Sequence, residues 1–212
     1  MGGAAPARGH LLLAWFPMPD LPNTLVIVAL RGESAGVFEA AGIPVLYCGV
    51  GKVNAAMALA RALAPYALQG QAMPQVLNFG SAGSRVHLTG TLVGCHEFVQ
   101  RDMDVSGLGF ALGVTPYDEA PPCLRFDPVF KHLPSAVCGT GDSFATVATD
   151  MDCGVVDMEA YALAKVCWFD KAPFACAKYV SDGADHAAAD DWQQNLHKAA
   201  DEFLSLYRGV LR

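Results

Sequence analysis

Charge is scarce in this chain of 212 residues: 17% are Asp, Glu, Lys or Arg, and the 14 basic side chains are outnumbered by 21 acidic ones, for a formal net charge of -7. Without a basic face there is nothing to neutralise a phosphate backbone, so nucleic acid is excluded as a partner. No apolar run approaches the roughly 18 residues that a membrane span needs, which excludes a membrane partner. The short run His10 to Phe16 after Arg8 ends in Pro17-Met18-Pro19 with no small-residue cleavage pattern, so no secretory leader is expected. The seven cysteines include no Cys-x-x-Cys pair, their count is odd, and several lie inside apolar runs. That usage fits a reducing, cytoplasmic setting and no zinc site. The six histidines lack metal-ligand spacing; His96-Glu97 begins like H-E-x-x-H, but Gln100 fills the last place. Neither a metal nor another cofactor is expected. Repeats and low-complexity tracts are absent too, which leaves one domain over residues 23–212 behind a Gly-, Ala- and Pro-rich arm, 1–22, that has no assignment.

What the chain has is apolar bulk, 53% of its residues. This suffices for a sizeable core, with apolar surface to spare for a partner subunit. Thr24 to Leu30 (TLVIVAL) is a continuous β-branched run, the mark of a strand covered on both faces. Pro44 to Cys48, Gln75 to Phe79, Leu92 to Gln100, Cys153 to Val156 and Pro173 to Val180 read as further strands. Helices are predicted from Glu33 to Ala41, over the alanine-rich Lys52 to Leu68, from Met158 to Trp168, and from about Asp191, where Leu196, Ala200, Phe203, Tyr207 and Val210 recur at three and four. Alternating strands and helices specify an α/β fold: a single-domain three-layer α/β/α arrangement around a central mixed, largely parallel twisted sheet. Asp104 to Pro134 is a long Gly- and Pro-rich connection, and such loops are often functional. No helix-sized stretch stands between residues 120 and 137, so the architecture reads as pared down.

Ligands of open α/β sheets sit beyond the carboxyl ends of the strands. Glu33 follows the first strand, Gly49-Val50-Gly51-Lys52 the second, Gly80-Ser81-Ala82-Gly83 the third, Asp157 and Glu159 the short Val155-Val156 strand, and Ser181-Asp182 the last. Several strands thus deliver carboxylates to one rim beside two small-residue turns. Each piece alone has a plainer reading. The Gly49 segment is a turn before a helix, and not a P-loop, because Val53 stands where Ser or Thr is needed. Gly80 to Gly83 is a tight strand-to-helix turn, and no G-x-S-x-G elbow makes Ser81 a nucleophile. Asp182 and Glu33 serve as capping or first-turn carboxylates, Glu159 answers a helix dipole, and Met158, Phe144 and Trp192 are core residues. Lys178 inside an apolar strand is harder to dismiss, because a buried lysine needs a carboxylate partner.

Six segments in order resemble the 5'-methylthioadenosine/S-adenosylhomocysteine nucleosidases of the purine nucleoside phosphorylase/nucleosidase superfamily. Gly49 to Ala56 (GVGKVNAA) resembles the family's G-[IV]-G-K-V-N-A-A, and Asn78 to Gly83 (NFGSAG) its N-T-G-S-A-G. Asp102-Met103-Asp104-Val105 with Gly109-Phe110 resembles H-D-x-D-V-x-x-F-G-Y, and Gly141-Asp142-Ser143-Phe144 resembles S-G-D-x-F. Val156 to Ala160 matches V-E-M-E-A with one carboxylate shortened, and Tyr179 to Asp185 resembles [RK]-x-I-S-D-x-A-D.

The resemblance implies a nucleoside phosphorylase-like fold and cleavage of the N-glycosidic bond of a purine nucleoside, a 5'-modified adenosine for preference. Asp182 matches the general acid that protonates ring nitrogen N7, with Ser181 orienting its carboxyl group and Lys178, where relatives carry Arg, in support. Glu159 matches the acceptor for the ribose hydroxyls, Met158 packs on the sugar, Phe144 stacks on the purine and the main chain at Ala145 meets the base edge. Val50, Ser81, Ala82 and Gly83 complete the substrate contacts, and Trp192 falls where relatives place an aromatic that closes over the purine. Glu33 is the candidate for binding and activating water, although Arg31-Gly32-Glu33 offers one glutamate where the family has a cluster. Leu108 takes the position from which relatives reach the neighbouring subunit, so a homodimer is implied. Two alternatives stay open: a phosphorylase using Arg31 or Arg85 for phosphate, and a non-catalytic nucleoside-binding protein. Asn78 speaks against the first, because phosphorylases place an Arg there.

Overall fold

A computed structural model describes residues 21–147 and 149–211. The arm expected over 1–22 and the segment screened for a leader lie almost wholly outside the described residues. Eight strands build the sheet: β1 (Thr24–Val28), β2 (Val45–Tyr47), β3 (Gln75–Gly83), β4 (Leu92–Gln100), β5 (Cys123–Arg125), β6 (Ser135–Thr140), β7 (Val155–Asp157) and β8 (Phe174–Asp182). β8 is inserted between β3 and β4, and the pairs β1–β2, β1–β3, β3–β8, β4–β6 and β6–β7 are parallel. β4 runs antiparallel to β5 and β8, and β7 meets β3 antiparallel at one point, Gly83 opposite Val156. The sheet is mixed and largely parallel, as the alternation of strands and helices predicts.

The helices are α1 (Arg31–Ser34), α2 (Val37–Ala40), α3 (Lys52–Gln69), α4 (Ala160–Asp170), α5 (Ala188–Asn195) and α6 (Ala200–Val210). Side chains alternate across a strand, and β1 shows the result. Ile27 joins the core with Leu59 and Leu63 of α3 and Leu163 of α4, whereas Val26 and Val28 face Phe38 of α2 and Phe203 of α6. On that second face Phe79 stacks between Phe38 and Phe203, with ring centroids 5.7 and 5.2 Å away.

Four features differ from the sequence reading. The helix expected from Glu33 to Ala41 is two single turns, split where Ala35 and Gly36 take φ of 46° and 75°. The segment Gly80 to Gly83 is not a turn; it continues β3, because β8 pairs with it throughout. Two strands went unrecognised: β5 lies inside the stretch read as a loop, paired antiparallel to β4, and Ser135 to Thr140 (β6) has only a short apolar alternation and is held by parallel pairing to β4 and β7. The last helix is two, α5 and α6, separated by Leu196 to Ala199. The contact between Gly83 and Val156 matters most for function, since it draws the ends of β3, β7 and β8 to one place.

Candidate active site

At that convergence lies a cavity of about 300 Å³. Glu33, Val50, Ser81, Ala82, Gly83, Phe144, Ala145, Met158, Glu159, Ser181, Asp182 and Trp192 all line it. Lys178 lies behind the rim, 1% exposed, and Leu108 stands away from it on a single 3₁₀ turn, 75% exposed.

Asp182 ends β8 and is 3% exposed. Ser181 Oγ donates to its Oδ2 at 2.8 Å, and the Ala184 amide to its Oδ1 at 3.0 Å. Burial pushes its carboxyl above the ordinary range, aided by the nearby Asp191 and Asp185 and opposed by the two hydrogen bonds. Gly83 is required beside it, because a Cβ there would stand 2.5 Å from Asp182 Oδ1. Asn195 of α5 donates to the Ser181 carbonyl at 2.7 Å and fixes the backbone under this pair.

Glu159 directly precedes α4 and accepts the Gly51 amide at 2.9 Å, which ties it to the Gly49-Val50-Gly51 turn. Burial, with Asp157 as a second cause, raises its carboxyl to about 7, against the pull of Lys178. Asp157 accepts from Thr140 Oγ1 at 2.5 Å and from the Ala160 amide at 2.8 Å, and its Oδ2 lies 2.8 Å from Lys178 Nζ. Burial pushes Asp157 up, but the Lys178 ammonium together with the hydrogen bonds from Thr140 and Ala160 holds the group below the usual range; the carboxylate likewise holds Lys178 well above its own.

Glu33 is 4% exposed and accepts three hydrogen bonds: the Leu30 amide at 3.0 Å, and the Ser81 amide and hydroxyl at 2.8 Å each. The Trp192 indole N–H donates to the same Ser81 hydroxyl at 3.0 Å. The Phe144 and Trp192 rings stand edge to face, centroids 6.4 Å apart. Gly80 lies beneath the acidic centre, where a Cβ would come 3.1 Å from Glu33 Oε1 and 3.4 Å from Lys178 Nζ.

The sequence reading missed Arg101, which lines the cavity with Ser143. Its guanidinium donates to the Ser143 carbonyl, to Ser143 Oγ at 3.2 Å and to the Gly141 carbonyl at 3.5 Å, and so braces the segment that carries Phe144. Below it Lys52 Nζ contacts Asp102 Oδ1 at 2.6 Å, and the Asp142 amide donates to Asp102 Oδ2 at 2.8 Å. Arg101 stands one residue past β4, where the rule of polar residues after strands would have found it; its place in the quoted motif is the histidine's. The two arginines considered for phosphate are elsewhere. Arg31 lies over the Tyr47 ring at 4.4 Å and pairs with Glu39 at 3.6 Å, while Arg85 is exposed beside a separate cleft.

Fold and site together define a class in which a sheet rim of carboxylates and aromatics receives a small ligand, and the chain belongs to the phosphorylase superfamily, whose family model matches residues 23–212. Within it, its relatives include 5'-methylthioadenosine/S-adenosylhomocysteine nucleosidases. That of Anoxybacillus flavithermus is 31% identical over 203 residues, 84% of each chain. That of Haemophilus influenzae (strain 86-028NP) is 29% identical over 92% of this chain and 90% of its own. Among solved structures, a Helicobacter pylori MTAN mutant with 5'-methylthioadenosine in the active site matches with a TM-score of 0.77 at 22% identity, covering 89% of this chain and 97% of that one.

Proposed function

We propose that this protein hydrolyses the N-glycosidic bond of a purine nucleoside, a 5'-modified adenosine such as 5'-methylthioadenosine or S-adenosylhomocysteine, and releases the free base. The observation that carries the reading is Asp182: a buried carboxyl with its proton affinity raised, in the same cavity as Glu159 and Phe144. Breaking the C1'–N9 bond sends the bonding electron pair to the purine and leaves oxocarbenium character on the sugar, as in other glycosyl transfers. Asp182 gives its proton to N7, so the base departs neutral. A water adds its oxygen to C1' and yields its proton to Glu33. Glu159 accepts hydrogen bonds from the ribose hydroxyls, which a carboxylate suits as an acceptor-only group. Met158 packs on the sugar, Phe144 and Trp192 enclose the base, and Ala145, Val50, Ala82 and Gly83 shape the walls. Ser81 and Lys178 support the acidic centre from below.

Water is favoured over phosphate as the acceptor by Asn78. This residue is buried, donates its amide to the Ile27 carbonyl at 3.2 Å and accepts from the Cys176 thiol, so it is committed to the core where a phosphorylase needs a guanidinium. A panel of purine nucleosides, with and without phosphate, tests the reading by the appearance of free base. Turnover that requires phosphate overturns it in favour of a phosphorylase. Ligand-induced stabilisation without base release makes the protein a nucleoside binder.

Glu159 gives a pH prediction. Its free-enzyme carboxyl sits at about 7, so it is increasingly ionised, and a better acceptor for ribose hydroxyls, as pH rises through that value. The KM of the wild type is expected to fall between pH 6 and 8, by about tenfold, a limb set by a single ionisation. Glu159→Gln is expected to bind weakly with no such limb. A wild-type KM flat over this range contradicts the assignment.

A homodimer of cytoplasmic location completes the proposal. The seven thiols are all free, and no helix among the described residues is long and apolar enough to cross a membrane. Leu108, Val53 and Phe169 are exposed, the last two beside a shallow groove between α3 and α4. Sedimentation is expected to give twice the chain mass.

A further inference from the structure

α5 does more than shield the cavity. It is linked to Glu33 at two separate points, one through Ser81 of β3 and one at the residue that follows its last turn. Trp192 donates its indole N–H to Ser81 Oγ at 3.0 Å, and Ser81 Oγ in turn lies 2.8 Å from Glu33 Oε1. The serine hydroxyl has one hydrogen. With the indole occupying a lone pair as donor, that hydrogen is directed to Glu33. The second point is Leu196, which follows α5 directly and lies flush against the α1 backbone: a Cβ on Gly32 would stand 2.8 Å from Leu196 Cδ2. Gly32 occupies the position immediately before Glu33 and is what lets this leucine approach.

We propose that Trp192 is a positioning residue for Glu33, acting through the Ser81 hydroxyl, so that the docking of α5 sets the orientation of the water-activating carboxylate. The inference rests on the hydrolytic reading above and adds to it. An aromatic at this position needs only its face to cover a base; the indole N–H adds a directed link that a phenylalanine lacks. Leu30 and the Ser81 amide hold Glu33 in either case. Losing the indole therefore frees the Ser81 rotor and disorders one of three hydrogen bonds without emptying the site. The indole N–H is engaged by Ser81, which leaves the ring to meet the substrate, so binding and turnover should separate.

The test is Trp192→Phe, which keeps a ring and removes the donor, with Ser81→Ala, the double variant, and Leu196→Ala, which loosens the second contact without touching the cavity. Steady-state base release and thermal midpoints are measured for each. Trp192→Phe is expected to lower kcat about three- to tenfold, the size of one hydrogen bond, with KM within twofold. In the Ser81→Ala background the same change should add nothing, because the two act as one unit. Leu196→Ala should lower kcat in the same direction with KM unchanged. The proposal is overturned if Trp192→Phe leaves kcat intact, if KM alone rises, or if the two losses multiply in the double variant. A wild type that releases no base overturns the hydrolytic reading itself, whereas an active wild type with an indifferent Trp192→Phe overturns this inference alone.

Discussion

Asp182→Asn is expected to lower base release by about 10²–10⁴-fold, the usual contribution of a matched general acid, while nucleoside affinity stays within a few fold. The amide is close to isosteric with the carboxyl group. It can keep the hydrogen bond from the Ala184 amide through its oxygen and leave Gly83 undisturbed. What it cannot do is release a proton to N7. The departing purine must then leave as an anion, in a cavity where Asp191, Asp185 and Glu159 already make negative charge unwelcome. The contacts proposed to bind the ligand, the Phe144 and Trp192 rings and the Glu159 carboxylate, come from other elements and are untouched. Single-turnover release measured beside equilibrium binding separates the two effects. Unchanged turnover rules out Asp182 as the acid, and lost binding with lost turnover shows that it held the substrate instead.

The rim was legible because its carboxylates follow apolar runs directly. Glu33 and Glu159 stand just past a buried strand and Asp182 ends one, and a largely parallel sheet collects such positions at one end. The strand β6 was not, because Ser135 to Thr140 owes its conformation to pairing with β4 and β7 more than to local preference. The extension of β3 through Gly80 to Gly83 was hidden for a related reason. Four small residues read locally as a turn; in the fold Glu33 and Lys178 crowd the Cα of Gly80, and Asp182 that of Gly83. Lys178 for arginine and Asp157 for glutamate read in the sequence as two unrelated departures, 21 residues apart. In the structure they are one, since the two side chains are each other's partner at 2.8 Å.

That pair supports the other large prediction. Lys178→Met should destabilise the fold by about 3–5 kcal/mol, because it leaves Asp157 buried with no counter-charge. For a chain of this size that corresponds to a fall in Tm of roughly 6–20 °C. Thr140 and the Ala160 amide still solvate Asp157, but two neutral donors do not replace an ammonium in a site that is 1% exposed at the lysine. The functional effect follows from the same charge. Lys178 draws the Glu159 carboxyl down against burial and Asp157, so its loss moves that group further up. The rise in nucleoside affinity with pH should therefore shift to higher pH in Lys178→Met, and activity at pH 7 should fall even at temperatures where the variant is folded. Lys178→Met with Asp157→Asn removes both charges and should recover most of the stability, as neutral replacements of buried pairs do. It should also return the Glu159 limb toward its original position, since the lowering and the raising charge disappear together. A double variant as unstable as Lys178→Met would mean that the lysine stem, and not its charge, is what β8 needs at this point.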